Sequence, residues 1–432
     1  MPHTFYDTLE TRPAQEREAA LLAALPQQIA HAQNHTSAFA ELLAGVDAAN
    51  ITSRATLATL PVTRKHELLE RQRAWQTSPP SFSTSLAQGW KGDGAVFGGF
   101  SPLAFGSRLP RIFSSPGPIY EPEGTGRDWW RMARALYAAG FRRGELIHNC
   151  FSYHFVPAGS MLETGAHALG CTVFAGGTGQ TEQQVQAIAE LRPAGYVGTP
   201  SFLKIILEKA AELGVPLPSL SKALVSGEAF PPSLRDWLAE RGVAGYQCYA
   251  TADLGLVAYE TAAREGLVLG EDVLLEIVRP GTGDPVPDGE VGEVVVTTLN
   301  LDYPLIRFGT GDLSAVLPGT CPTGRTNTRI KGWLGRADQT TKIRGMFVHP
   351  GQVAAVAKRF PQVQRARLVV TGEMANDQML LQVETLETAA GLAQQIADQL
   401  REVTKLRGEV QMLPPGSLPN DGKVIEDARS YQ

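Results

Sequence analysis

Three short stretches bring together residue types that could do chemistry. In Tyr303-Pro304-Leu305-Ile306-Arg307-Phe308-Gly309-Thr310-Gly311-Asp312 an apolar run gives way to small residues and then a carboxylate, which predicts a strand ending at the Thr-Gly-Asp. A fixed carboxylate with little bulk beside it can accept two hydrogen bonds from vicinal hydroxyls such as those of a ribose. It can equally cap its own backbone in a turn, a common use of Asp. Downstream, Gly335-Arg336-Ala337-Asp338-Gln339-Thr340-Thr341-Lys342-Ile343-Arg344-Gly345 places an arginine in a glycine turn with an aspartate two residues on, where the texture of the chain changes. That arrangement fits a hinge between domains, while Arg336 read alone is also a surface ion-pair residue. Near the end, Leu418-Pro419-Asn420-Asp421-Gly422-Lys423 sets a lysine on a glycine-containing loop. On a mobile domain such a lysine can reach developing negative charge as the domain closes; otherwise it is a solvated surface residue.

Two further segments lie upstream. Val225-Ser226-Gly227-Glu228-Ala229 follows a strand-like run and precedes Pro231-Pro232, a strand-to-helix turn against which a flat base could lie. Tyr246-Gln247-Cys248-Tyr249-Ala250-Thr251-Ala252-Asp253 reads as a strand end. As a set, the five segments resemble the core motifs of the adenylate-forming enzymes. Leu60-Pro61-Val62-Thr63-Arg64-Lys65-His66-Glu67-Leu68-Leu69 is similar to a stretch of the phenylacetate–coenzyme A ligase branch of that superfamily.

The resemblance implies an ATP-dependent, AMP-forming acid–CoA ligase that activates an aryl or arylacetic acid through an acyl-adenylate and then forms the CoA thioester. ATP, Mg2+ and coenzyme A are the implied cofactors. Asp312 would hold the ribose hydroxyls, and Arg336 would assist at ribose or phosphate. Gly227 and Glu228 would flank adenine, with Tyr249 stacking on it beside Ala250. Thr251 would contact phosphate, Asp253 would help hold Mg2+, Lys423 would act in adenylation, and Asp338 would be the hinge. Ala250 and Asp253 stand where the family usually has Gly and Glu.

The phosphate loop departs further. In Phe113-Ser114-Ser115-Pro116-Gly117-Pro118-Ile119-Tyr120-Glu121-Pro122 the resemblance retains Ser114, Ser115 and Gly117 as phosphate-binding positions, without the family's threonines and lysine. Pro116 and Pro118 remove backbone donors and Glu121 adds negative charge, which predicts weaker or differently organised ATP binding. Relatives often carry a structural zinc; here Cys321-Pro322-Thr323-Gly324-Arg325-Thr326-Asn327 retains one thiol, too few for a four-coordinate site, and no zinc is expected. The acid is placed near Tyr153, His154 and Phe155, opposite Gly176 and Gly177, where aromatics and glycines could form a flat slot. Those residues are also read as core aromatics and a strand-end turn, and His154 as a structural histidine. Two alternatives remain: adenylation with an acceptor other than CoA, and a non-catalytic homologue with a degraded phosphate loop.

Positioning such a set takes more than one domain. The 432 residues exceed what one core usually serves. Short apolar runs alternate with helical stretches from about 110 to 260, the texture of parallel βα units. Beyond 270, Val273-Leu274-Leu275-Glu276-Ile277-Val278 and Glu293-Val294-Val295-Val296-Thr297-Thr298 flank a Pro/Gly-rich turn and predict a small antiparallel subdomain. After Gly335 the spacing predicts strands near 367–371 and 379–384, a helix over 386–403 and a last strand near 409–412. The fold class is therefore α/β: a large composite N-terminal AMP-binding domain over 1–334 with βα sheets and a small β subdomain, plus a small mobile α+β C-terminal domain over 335–432.

Bulk properties narrow the partners. Lys+Arg 39 against Asp+Glu 44 gives a net charge of -5 and no electrostatic reason to bind nucleic acid or an anionic membrane. A small-molecule carboxylic acid is the expected partner, and a homodimer is left open. Cys150, Cys171, Cys248 and Cys321 are scattered without a CxxC pair. With Asp7 and Glu10 early in the chain and no apolar run of spanning length, a cytoplasmic protein without a leader is expected.

Overall fold

The computed structural model describes residues 4–77, 94–116, 118–337, 339–372, 376–386, 391–419 and 423–429. Gly117, Asp338 and Gly422 lie outside the described residues. Contacts divide the chain into two compact units, Met1–Phe230 with Leu234–Leu334, and Pro231–Ser233 with Gly335–Gln432.

In the first unit, helix α1 (Ala14–His35) repeats Leu21, Leu25, Ile29 and Ala32 at helical spacing, and all four are buried in the main core. Strand β1 (Thr63–Arg64) leads directly into α2 (Lys65–Thr77). Strands β2 (Arg111–Ser115) and β3 (Ile119–Glu123) then form an antiparallel hairpin that sets Phe113 opposite Glu121.

The βα texture follows: β4 (Leu146–Asn149), α3 (Ala158–Leu169), β5 (Thr172–Ala175), α4 (Thr181–Leu191), β6 (Gly195–Gly198), α5 (Pro200–Glu212), β7 (Lys222–Val225), α6 (Pro232–Glu240) and β8 (Ala244–Thr251). Each parallel strand needs a crossover, and the helices supply it. Gly170, at φ +87°, ends α3 in the left-handed conformation that glycine adopts without strain. Next come β9 (Gly255–Glu260), β10 (Leu267–Leu269), β11 (Val273–Val278), β12 (Gly292–Thr298), β13 (Phe308–Ser314), β14 (Val316–Leu317) and β15 (Arg329–Ile330).

Among the described residues these strands make a nine-stranded sheet ordered β14-β15-β10-β9-β8-β7-β6-β4-β5 and a four-stranded sheet ordered β1-β13-β12-β11. Neither matches its sequence expectation fully. The βα sheet turns antiparallel at β8–β9. The small sheet gains a parallel edge because β1 pairs with β13, Thr63 opposite Phe308. Thr310-Gly311-Asp312 does not end a strand but lies inside β13, since pairing with β12 resumes beyond it at Leu313 and Ser314.

The second unit opens with a hairpin of β16 (Thr341–Ile343) and β17 (Met346–Val348), then α7 (Pro350–Lys358), β18 (Val363–Thr371), β19 (Gln378–Thr385), α8 (Leu392–Thr404), β20 (Glu409–Leu413) and β21 (Ile425–Asp427). Its sheet is ordered β20-β19-β18-β21. Ile396 and Leu400 of α8 pack with Leu368, Leu381 and Ile425 in a separate core. The strand expected last, near 409–412, is followed by β21. A three-residue strand closing a sheet edge is too short to show a periodic signal.

Candidate functional site

Asp312 is presented by a distortion of β13. The β12–β13 register shifts between Glu293 and Val295, opposite Thr310-Gly311-Asp312, and Gly311 takes φ +73°. Such a bulge re-aims side chains, and a glycine allows the left-handed turn within it. The Asp312 carboxylate then receives two donors: Tyr249 Oη donates to Oδ2 at 2.8 Å, and Trp333 Nε1 donates to Oδ1 at 3.1 Å. Each oxygen has a second lone pair. The carboxylate is thus oriented by side chains from other strands and loops.

Further along β8, Thr251 Oγ1 accepts the Leu254 amide at 3.0 Å, which leaves the hydroxyl proton as a donor. Asp253, 5% exposed, takes Lys65 Nζ on Oδ2 at 3.0 Å. Lys65 is also 3.7 Å from Glu121 Oε1, and the Ser115 hydroxyl donates to that same oxygen at 2.5 Å. Asp253 Oδ1, Glu121 Oε2 and the Tyr303 hydroxyl are buried without a hydrogen-bond partner. Burial pushes the Glu121 carboxyl well above the usual carboxylate range, and the Asp253 charge adds to this; Lys65 and Ser115 pull the other way.

Lys65 reaches this corner because the segment before it is anchored. The buried Arg307 guanidinium donates to the carbonyls of Ala58 at 2.9 Å, Leu60 at 2.5 Å and Gly283 at 2.7 Å, and pairs with Glu276 at 3.0 Å. With Thr63 held beside Phe308, α2 starts at the carboxyl pair. Gln72 of α2 then fixes the hairpin through both amide atoms, accepting the Tyr120 amide at 2.8 Å and donating to the Tyr120 carbonyl at 2.9 Å.

The remaining sequence-derived positions are placed as follows. Gly227, at φ +80°, and the half-buried Glu228 sit in the turn after β7, where Ser201 Oγ donates to Glu228 Oε2 at 2.5 Å. Ala250 is half-buried in β8 at a slip in the pairing with β9. The Ser114 amide donates to the Phe155 carbonyl at 2.6 Å. Tyr153 is half-buried and its hydroxyl accepts from Asn149 Nδ2 at 2.8 Å; His154 is exposed. Phe155 is 77% exposed and takes φ +62°, a strained backbone for an aromatic residue. A side chain on Gly176 would strike Gln184 and His148, and Gln184 Nε2 donates to the carbonyls of Gly176 at 2.9 Å and Gly177 at 3.2 Å. Gly176 therefore packs against its own chain, whereas the α-carbon of Gly177 opens to free space.

In the second unit, Arg336 is half-buried and Lys423 exposed. The segments that carry them are joined through Gln339, whose Oε1 accepts the amides of Val424 at 2.7 Å and Ile425 at 3.3 Å. Asp338, expected as the hinge, and Gly117, expected in the phosphate loop, lie outside the described residues.

Sequence reasoning left Lys65, Gln72, Tyr303 and Trp333 without site roles. Lys65 stood inside the quoted Leu60–Leu69 stretch, and Glu121 was legible only as an added charge; neither carries a local signal for the residue it meets across the fold. Cys321 lies 3.0 Å from Thr323 Oγ1 and 3.4 Å from Thr261 Oγ1. Burial pushes its thiol up, but these hydrogen bonds pull it further down, below the ordinary value. Among the described residues no three or more His, Cys, Asp or Glu side chains are grouped to hold a metal ion, and no helix is long and apolar enough to cross a membrane.

Comparison with known proteins places these features in a lineage. The family model of AMP-binding enzymes matches residues 127–301, and that of the AMP-binding enzyme C-terminal domain matches residues 345–427. The phenylacetate-coenzyme A ligase of Escherichia coli (strain K12) is 31% identical over 343 residues, 73% of this chain and 78% of that protein. The phenylacetate-coenzyme A ligase of Thermus thermophilus is 29% identical over 442 residues, 95% of each. Among solved structures, 2-hydroxyisobutyryl-CoA ligase in complex with 2-HIB-AMP and CoA is similar at a TM-score of 0.80 and 25% identity, covering 99% of this chain and 93% of that one.

Proposed function

We propose that this chain, which belongs to the phenylacetate–coenzyme A ligase family of adenylate-forming enzymes, is an AMP-forming acid–CoA ligase. A substrate carboxylate oxygen attacks the α-phosphorus of ATP and pyrophosphate leaves; the CoA thiolate then attacks the acyl carbon of the adenylate and AMP leaves. The observation that carries this reading to the residues is the Tyr249–Asp312 pair, which joins two separately read motifs in one oriented acceptor for a ribose.

On this reading Asp312 binds the ribose hydroxyls, and Tyr249, Ala250, Gly227 and Glu228 surround the base. The Thr251 hydroxyl donates to the α-phosphate. Lys423 and Arg336 of the second unit supply positive charge to the pentavalent phosphoryl group in adenylation, and rotation about Asp338 exchanges the two half-reactions. Asp253 fits as a carboxylate for Mg2+, because Oδ1 is buried without a partner, and Mg2+ typically takes one or two carboxylates together with substrate phosphates. When bound, Mg2+ would neutralise phosphate charge. We assign the acid to the neighbourhood of Tyr153, His154, Phe155 and Gly177, and an aryl or arylacetic acid as its class, in line with the names of the curated relatives.

A pyrophosphate-release screen tests this. Aryl, arylacetic, 2-hydroxy and short aliphatic acids are each assayed with MgATP, first without and then with CoA. Acid-dependent pyrophosphate followed by thioester formation is expected. Pyrophosphate without thioester points to another acceptor, and no pyrophosphate with any acid defeats the assignment.

A further inference from the structure

In the hairpin that corresponds to the family's phosphate loop, three donors of the described residues are already engaged. The Ser114 amide is spent on the Phe155 carbonyl, the Ser115 hydroxyl on Glu121, and the Tyr120 amide on Gln72. Pro116 and Pro118 have no amide hydrogen to offer. A phosphate that takes any of these three donors has to break the bond it now makes. At the same corner Lys65 already serves two carboxyls, Asp253 at 3.0 Å and Glu121 at 3.7 Å.

Glu121 is what closes the corner. Its side chain is 1% exposed and holds the Ser115 hydroxyl, with Oε2 buried and aimed at no donor. Glu121 Oε1, which accepts from Ser115 and lies 3.7 Å from Lys65, and a phosphate oxygen compete for the same hydroxyl and ammonium groups. The ribose end is built differently: Asp312 is oriented by donors, the Tyr249 hydroxyl and the Trp333 indole among them.

The order along β8 decides which part of a nucleotide feels this competition. Tyr249 meets Asp312, Thr251 ends the strand, and Asp253 just beyond it shares Lys65 with Glu121. A nucleotide laid along the strand therefore sets its α-phosphate near Thr251 and its terminal phosphates at the Glu121 corner. We propose that Glu121 is a specificity-determining residue that biases the nucleotide site toward adenosine monophosphate esters, AMP and the acyl-adenylate, over ATP. The inference rests on the nucleotide reading of this site. Its consequence is that on the enzyme the adenylate with departed pyrophosphate is favoured relative to bound ATP.

Titration calorimetry with AMP, and separately with ATP, each with Mg2+ and without acid, tests the idea on wild type, Glu121→Gln and Glu121→Ala. Gln keeps the shape and the Ser115 contact, and the wild-type ratio is informative whichever variant folds. Wild type should bind AMP at least about tenfold more tightly than ATP. Glu121→Ala should narrow that ratio about tenfold by tightening ATP, with Glu121→Gln between the two. A wild-type protein that binds ATP as tightly as AMP overturns the proposal, as does a ratio unmoved in both folded variants. If neither nucleotide binds wild type, the nucleotide reading itself falls.

Discussion

The Tyr249 hydroxyl donates to Asp312 Oδ2 at 2.8 Å, joining β8 of the nine-stranded sheet to β13 of the four-stranded one. The bond makes the carboxylate proposed to hold the ribose a property of two sheets rather than of one loop. Asp312→Ala should weaken AMP binding by about 1.5–3 kcal/mol, the scale of charge-assisted hydrogen bonds. Tyr249→Phe removes one orienting donor while Trp333 remains, and should lose about 0.5–1.5 kcal/mol. Calorimetry on both variants and the double variant should give less than the sum of the two losses. Strict additivity would mean that Tyr249 does not act through Asp312.

Lys423 is expected to serve adenylation alone. Lys423→Ala should slow acid-dependent pyrophosphate release by about 10²–10³, the loss for one preorganised donor of positive charge. Thioester formation from pre-made acyl-adenylate and CoA should stay close to wild type. Equal losses in both half-reactions would remove Lys423 from its proposed role.

The hinge assignment predicts a separation of half-reactions. Proline holds φ near -65° and removes an amide donor, so Asp338→Pro should trap one arrangement of the second unit. If the adenylating arrangement is trapped, pyrophosphate release persists while thioester synthesis stalls. A folded variant that runs both steps at wild-type rates would refute the hinge.

The cysteines should differ in reactivity. Burial pushes the Cys248 thiol up to about 12 and Cys171 up to about 11, and raises Cys150 as well, so at pH 8 these three hold very little thiolate. Cys321 is lowered instead, because hydrogen bonds from Thr261 and Thr323 outweigh burial. Its alkylation in the native protein should therefore lead the other three and reach its plateau at lower pH than an ordinary thiol. Peptide mass spectrometry after iodoacetamide pulses checks this, and labelling of Cys248 first would contradict it.

Much of the fold was legible because its signals are local. The run Val273–Val278 matches β11 at both ends, and the alternation between about 110 and 260 gave the βα units, since period and turn residues act over a few positions. The short strands β1 and β21 carry no such period and exist because a neighbouring strand pairs with them.

By itself the sequence determined the longer elements and the α/β class, and it singled out Asp312, Arg336, Asp338 and Lys423 as candidates, because residue type and spacing are local properties. Tertiary structure alone decided what Asp312 faces, the Tyr249 hydroxyl and the Trp333 indole. Lys65 and Asp253 are separated by most of the βα sheet in sequence, yet Arg307 anchors the strand that brings them to 3.0 Å. Glu121 reads as a stray charge until the hairpin turns it inward onto Ser115, where burial and the Asp253 carboxylate give it a chemistry that its own segment does not encode. Electrostatics and hydrogen bonding act through space, so the corner at Glu121 could be written only once the chain had folded.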